Sequence, residues 1–163
     1  MRRVPTQRRP ANLYSDTVTE LAHVVFYVRR LSPAVSFYTE IVGLAQVGTV
    51  FGGRAALLTG GRTHHELLLI EVGDAPAPPS GRRIGLYHVG WKVGESLTDL
   101  RRVYERIKTK GYPIEGLADH TVSQSLYLSD PDGNEVELFV DDPGIDWRKS
   151  DAWMSDPVKP LRL

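Results

Sequence analysis

The chain has 163 residues, the size of a single domain. Lys and Arg total 20, as do Asp and Glu, so the formal net charge is zero; 41% hydrophobic and 25% charged residues exclude wholesale disorder. No apolar run approaches the ~18–20 residues that span a bilayer, and no apolar stretch near the start leads into a small-residue cleavage site, which predicts a cytoplasmic protein with no membrane partner. Cysteine is absent, so disulfides, thiolate metal sites and a Cys nucleophile are excluded. Any metal must be held by nitrogen and oxygen, which directs attention to five histidines, His23, His64, His65, His88 and His120.

In chain order, residues 1–19 open with Arg2, Arg3, Arg8 and Arg9 around Pro5 and Pro10, predicting a basic, flexible arm. LAHVVFYV (21–28) is rich in β-branched and aromatic residues and predicts a strand. Ser32 is the expected N-cap of a helix with Pro33 in its first turn; Val35, Tyr38 and Val42 share a face, and Gly43 is the stop. Strand-like runs follow at about 45–51, 54–60 and 65–72, then a Gly/Pro-rich linker, GDAPAPPSG (73–81). The pattern then restarts. Ile84 to Val93 predicts a strand, and Ser96 caps a helix carrying Leu97, Leu100, Tyr104 and Ile107 to Gly111. Further strands are expected at about 113–116, 122–129 and 135–140. Residues 143–163 hold Trp147 and Trp153 between prolines, so this tail is expected to pack on the domain or on a partner subunit. Between the tails there is no basic stripe and no recognition-helix motif, so a nucleic-acid partner is not expected.

His23 and His88 occupy the third position of two similar runs, LAHVVFYV and LYHVGWKV. This internal duplication predicts an α+β fold of two tandem βαβββ modules, about 20–73 and 82–142 within a domain over 20–142, their mixed sheet curved around a metal-binding cleft. Strand alternation sorts the side chains. Ala22, Val24, Phe26 and Val28 form a buried set, leaving His23, Val25 and Tyr27 on the open face. Tyr87, Val89, Trp91 and Val93 likewise leave His88, Gly90 and Lys92. Val136, Leu138 and Val140 leave Glu135, Glu137 and Phe139, and Leu126 and Leu128 leave Ser125 and Tyr127. Four separate strands thus place His23, His88, Tyr127 and Glu137 on one side. Two imidazoles and one carboxylate are the ligand set of a facial-triad Fe(II) site with open positions. Mn(II) suits the same set, and Zn(II) or Ni(II) suits it with an added ligand.

These residues carry a family resemblance. Residues 20–142 resemble the vicinal-oxygen-chelate superfamily of glyoxalases, bleomycin-resistance proteins, epimerases and extradiol dioxygenases. DHTVSQSLYLSDPDGNEVELFVDDP (119–143), HHELLLIEV (64–72) and GLYHVGWKV (85–93) are most similar to its catechol 2,3-dioxygenase branch. The resemblance implies His23, His88 and Glu137 as ligands of Fe(II). It implies His65 and His120 as acid–base and hydrogen-bonding residues, and Tyr127 as the group that hydrogen-bonds a catecholate. It further implies an extradiol ring-cleaving dioxygenase that takes an aromatic diol and O2. The chain departs from the larger extradiol enzymes, which carry two duplicated domains where it has one, so its cleft is expected to be completed by its own tails or in a homodimer. His64 is expected to be a bystander. Two other readings stay open. A glyoxalase- or epimerase-type lyase or isomerase would draw a further ligand, Glu66 or Glu71, from the 64–72 strand. A drug-sequestering protein of the resistance type would hold an apolar ligand and no metal.

Overall fold

A computed structural model describes residues 18, 20–76, 81–82, 84–149, 151–155 and 158–163. The expected basic arm and the centre of the Gly/Pro linker lie almost wholly outside them. The first module runs β1 (Val24–Val28), α1 (Leu31–Ser36), a wider π-helical turn (Phe37–Val42), β2 (Ala45–Val50), β3 (Ala55–Thr59) and β4 (Leu67–Glu71). The second runs β5 (His88–Gly94), α2 (Leu97–Thr109), β6 (Gly116–Asp119), β7 (Ser123–Ser129) and β8 (Glu135–Asp141). Each makes its own mixed sheet, in the orders β1-β4-β3-β2 and β5-β8-β7-β6, so the fold is two βαβββ modules. The first and last long strands of each module are parallel neighbours, β1 with β4 and β5 with β8, and the other pairings are antiparallel.

Alternation along the strands decides which face is covered. Phe26, Val28, Leu67 and Leu69 are buried beneath the first helix, while Val25 and Tyr27 between them are exposed. Val136, Leu138, Val140, Leu126 and Leu128 are buried completely, and join Leu100 and Ile107 of α2. These sets form one continuous core across both modules. Polar ties help fasten them. The buried Tyr38 hydroxyl donates to Asp130 Oδ2 at 3.1 Å, and the Arg106 guanidinium of α2 donates to the Ile41 carbonyl at 2.8 Å. Asp130 also accepts from the backbone N–H groups of Asp132 and Asn134, so the DPDGN turn owes its shape to a buried carboxylate.

The second helix begins as its sequence implies. Ser96 Oγ accepts from the Asp99 N–H, and the Asp99 carboxylate accepts in return from the Ser96 hydroxyl and the Glu95 N–H. The first helix does not. It begins at Leu31, and Ser32 is not its cap; the Leu31 N–H donates instead to Glu71 Oε2 at 2.7 Å, a carboxylate delivered by β4. Gly43 ends that helix in the left-handed region, φ 102°, which a side chain would strain. Two strand boundaries also move. β5 starts at His88 because its partner β8 starts at Glu135, directly opposite, so Ile84, Leu86 and Tyr87 are exposed rather than buried. The strand expected over 113–116 lies at Gly116–Asp119, past Pro113, which has no N–H for a ladder. Near the C-terminus a short α3 (Ala152–Ser155) precedes β9 (Lys159–Pro160), which pairs with β6, and Leu161 and Leu163 pack against the core. No helix among the described residues is long and apolar enough to cross a membrane.

Candidate metal centre

Residues opposite one another in register point the same way, so the sheet face turned away from the helix can be read off the pairing. In the second module it holds His88 beside Glu135 and Ser129, then Gly90 beside Glu137 and Tyr127, then Lys92 beside Phe139 and Ser125. His88 Nε2 lies 3.3 Å from Glu137 Oε2, and His88 Nδ1 lies 3.1 Å from Glu135 Oε1. The Tyr127 hydroxyl donates to Glu137 Oε1 at 2.8 Å and sits 2.7 Å from His120 Nε2. With the phenol proton on Glu137, the partner at His120 is an Nε2–H donor. His120, Tyr127 and Glu137 are therefore one hydrogen-bonded chain, with His88 Nε2 in contact with its carboxylate end. Glycine at 90 leaves room for it, since a Cβ there would come within 3.1 Å of Glu137 Oε2. Burial, then the hydrogen bond and charge of Glu137, push the Tyr127 pKa well above its ordinary value, so it stays a neutral donor.

The loop between β6 and β7 aims His120. Asp119 Oδ1 accepts from the Thr121 N–H at 2.7 Å, Thr121 takes a left-handed φ of 70°, and the His120 N–H donates to the Ser123 carbonyl. Lys159 of β9 donates to the Thr121 hydroxyl at 3.0 Å, so the C-terminal strand braces this turn.

The other histidines gather in the first module. His23 lies just ahead of β1 with its ring 4.7 Å from that of His65, and His65 lies 4.4 Å from His64, their Nδ1 atoms in hydrogen-bond contact. His64 thus touches the cluster rather than standing apart. Removal from water, helped by its imidazole neighbours His64 and His23 and opposed by Glu66, lowers the pKa of His65. His23 and Gly90 both line a cavity of about 540 Å³ between β1 and β5, with Trp91 and Lys92 on the same wall.

The expected ligands are thus brought together unevenly. His88 and Glu137 are neighbours, His23 borders a cavity that Gly90 lines but they do not, and among the described residues no three His, Asp or Glu side chains converge as one metal-holding group. The donor set nevertheless suits a divalent cation. With the Nδ1–H of His88 directed at Glu135, its Nε2 faces a carboxylate oxygen across a gap that a proton or a cation must fill. Glu135 was on the open face by alternation but carried no assigned role; its place two residues before Glu137 was the available signal. Glu66 and Glu71 are engaged elsewhere. Glu71 holds the first helix, and buried Glu66 accepts from the Thr59 hydroxyl at 2.7 Å, the Gly60 N–H at 2.8 Å and the Arg62 N–H at 3.1 Å. Burial opposes ionisation of Glu66, but these donors and the Arg62 charge outweigh it and hold its carboxyl below the usual carboxylate range. The positions of β4 that share the open face with Val25 and Tyr27 are Leu68 and Ile70.

Residues 20–138 match the family model of the Glyoxalase/Bleomycin resistance protein/Dioxygenase superfamily. The chain belongs to that superfamily. It is similar to a catechol-2,3-dioxygenase of Bacillus subtilis (strain 168), 31% identical over 131 residues that cover 80% of this chain and 45% of the relative. It is also similar to biphenyl-2,3-diol 1,2-dioxygenase 2 of Rhodococcus globerulus, 31% identical over 123 residues, 75% of this chain and 63% of the relative. The chain thus spans about half to two thirds of these relatives' length. Among solved structures, a glyoxalase/dioxygenase from Nostoc punctiforme superposes with a TM-score of 0.67 at 18% identity, covering 86% of this chain and 99% of that one, a likeness of fold.

Proposed function

We propose that the chain is an Fe(II)-dependent extradiol ring-cleaving dioxygenase acting on a catechol-type aromatic diol and O2. The observation that carries this reading is the His120–Tyr127–Glu137 chain on one sheet face, with His88 at its carboxylate end. The similarity to two diol dioxygenases supports it. His23, His88 and Glu137 would hold the iron, with Mn(II), Ni(II) or Zn(II) as the other candidates. When bound, the ion supplies a common anchor for both diol oxygens and O2 and a path for electron density between them.

The chain's own groups handle protons and orientation. Glu135 fixes the His88 imidazole so that Nε2, not Nδ1, faces Glu137. Tyr127 can turn its hydroxyl from Glu137 to a diol oxygen and stabilise negative charge there. His120, in contact with Tyr127, can take a diol proton and return it to a product oxygen, and His65 offers a second imidazole from the first module. The open face of the first sheet, with Val25, Tyr27, Leu57, Leu68 and Ile70, suits an aromatic ring. A lyase of glyoxalase type would draw a carboxylate from β4 or just before it, and the engagement of Glu66 and Glu71 disfavours that reading. Pairing of two copies, which would complete the cleft, belongs to the proposal and is checked by light scattering on the eluting protein.

The test is anaerobic purification, metal analysis, and addition of catechol under air while watching for the yellow ring-fission product. Stoichiometric iron with turnover that is lost in His23→Ala and Glu137→Ala is the expected result. Nickel or zinc without ring cleavage would sink the proposal in favour of a lyase. A protein that binds no metal would point to a sequestering role.

A further inference from the structure

The two histidines that open β1 and β5 are supported differently. His88 is the first residue of a paired strand and has a carboxylate on its Nδ1. His23 is exposed and precedes the ladder of β1, whose register begins with Val24 opposite Leu67. The segment that carries it is held from outside. One guanidinium nitrogen of Arg62, Nη2, donates to the Leu21 carbonyl and the Ala22 carbonyl, each at 3.0 Å. Nη1 pairs with Glu20 Oε2 at 2.9 Å, and Nε lies 3.7 Å from Glu66 Oε1. Arg62 is itself held, because buried Glu66 accepts from its backbone N–H and from the donors of the preceding turn, Thr59 and Gly60. On the other side of His23, the Val24 N–H donates to the Glu66 carbonyl at 2.9 Å. His23 is therefore bracketed, two carbonyls before it on Arg62 and one N–H after it on Glu66.

We propose that Arg62, anchored by Glu66, is a positioning residue for His23: its planar fork holds the 20–22 backbone so that the imidazole is presented at the edge of the cavity shared with Gly90. That role rests on His23 being a metal ligand, and the placement of Arg62 adds something the ligand reading does not contain. A guanidinium suits the task because it presents several donors in one rigid plane and keeps its charge at any working pH. An ammonium reaches one carbonyl at a time. Loss of the fork leaves Leu21 and Ala22 without a tie and lets His23 sample positions away from the cavity. The expected cost has the size of losing a group that orients a metal-binding histidine, about 10–100-fold in metal affinity.

The experiment titrates Co(II) anaerobically into metal-free protein and follows its visible absorption, alongside a thermal melt. Wild type, His23→Ala, Arg62→Ala and Arg62→Lys are compared. Arg62→Ala is expected to weaken Co(II) binding about 10–100-fold at a melting midpoint close to wild type, with Arg62→Lys recovering part of the loss. Wild-type affinity in Arg62→Ala together with weakened binding in His23→Ala would overturn the positioning role and leave the ligand reading standing. Wild-type affinity in His23→Ala would overturn the ligand reading and the positioning role with it. A loss of affinity that only tracks a collapse of the melting midpoint marks Arg62 as structural and overturns the proposal. Should Arg62→Ala not fold, Arg62→Gln, which keeps bulk and one donor group, carries the same comparison.

Discussion

The two modules share a topology and a starting histidine, yet their open faces are built from opposite chemistry. In the second, His88, Glu135, Glu137 and Tyr127 stand in adjacent registers, His88 bonded to Glu135 and Tyr127 to Glu137, with His88 Nε2 3.3 Å from Glu137. In the first, the same alternation brings up Val25, Tyr27, Leu57, Leu68 and Ile70, with His23 at the margin against His65. The two carboxylates on and just before β4, Glu71 and Glu66, serve helix and turn anchoring instead. Duplication therefore supplied two equivalent frames, and polar chemistry was concentrated on one of them. The aromatic diol proposed as substrate would use both, a polar edge for its oxygens and an apolar surface for its carbons.

That contrast can be broken at several points, taken here from the largest effect down. Tyr127→Phe removes the hydroxyl that links His120 to Glu137 and should lower kcat of the proposed ring cleavage about 10²–10³-fold without moving the melting midpoint, measured by stopped-flow absorbance. Leu138→Ala, at a position of the second sheet with no exposure, should cost about 2–5 kcal/mol in urea unfolding. The corresponding change on the open face of the first sheet, Leu68→Ala, should cost clearly less, because the side chain is only half-buried there. Tyr38→Phe strips one donor from the buried Asp130 and should cost about 1–3 kcal/mol, sharpening how far the DPDGN turn couples the modules.

The smallest effect concerns pH. The Glu66 carboxyl titrates below its unfolded value of 4.5, so its contribution to stability is complete above that pH and is lost as pH falls through the lower, folded value. Glu66→Gln should therefore be less stable than wild type near neutrality and show a flatter acid limb below about pH 4.5 in urea midpoints taken across pH. Parallel acid limbs in the two proteins would show that Glu66 is not held in its charged form.

Much of the site was legible because it lies on strands. Alternation is a strict period of two, so Val136, Leu138 and Val140 below the sheet oblige Glu137 to stand above it, and the same logic placed His88 and Tyr127. The second helix was legible for a similar reason, since Ser96 and Asp99 cap it with atoms only three residues apart. The first helix was not. The acceptor for its first N–H, Glu71, is forty residues away in sequence, and local pattern points to Ser32 instead. Alternation alone buries Tyr87 because it assumes a strand there, and pairing with β8 does not begin until His88.

The sequence by itself determined the doubled βαβββ architecture, the buried faces of the paired strands and the side on which His88, Tyr127 and Glu137 stand. All of these follow from short-range periods that steric rules impose on any chain. Only the tertiary structure decided which polar groups meet. It gave His88 its carboxylates, tied Tyr127 to both His120 and Glu137, withdrew Glu66 and Glu71 into anchoring roles, and set Arg62 across the backbone ahead of His23. Contacts of this kind depend on distance in space between residues far apart in the chain, and a one-dimensional period carries no record of it.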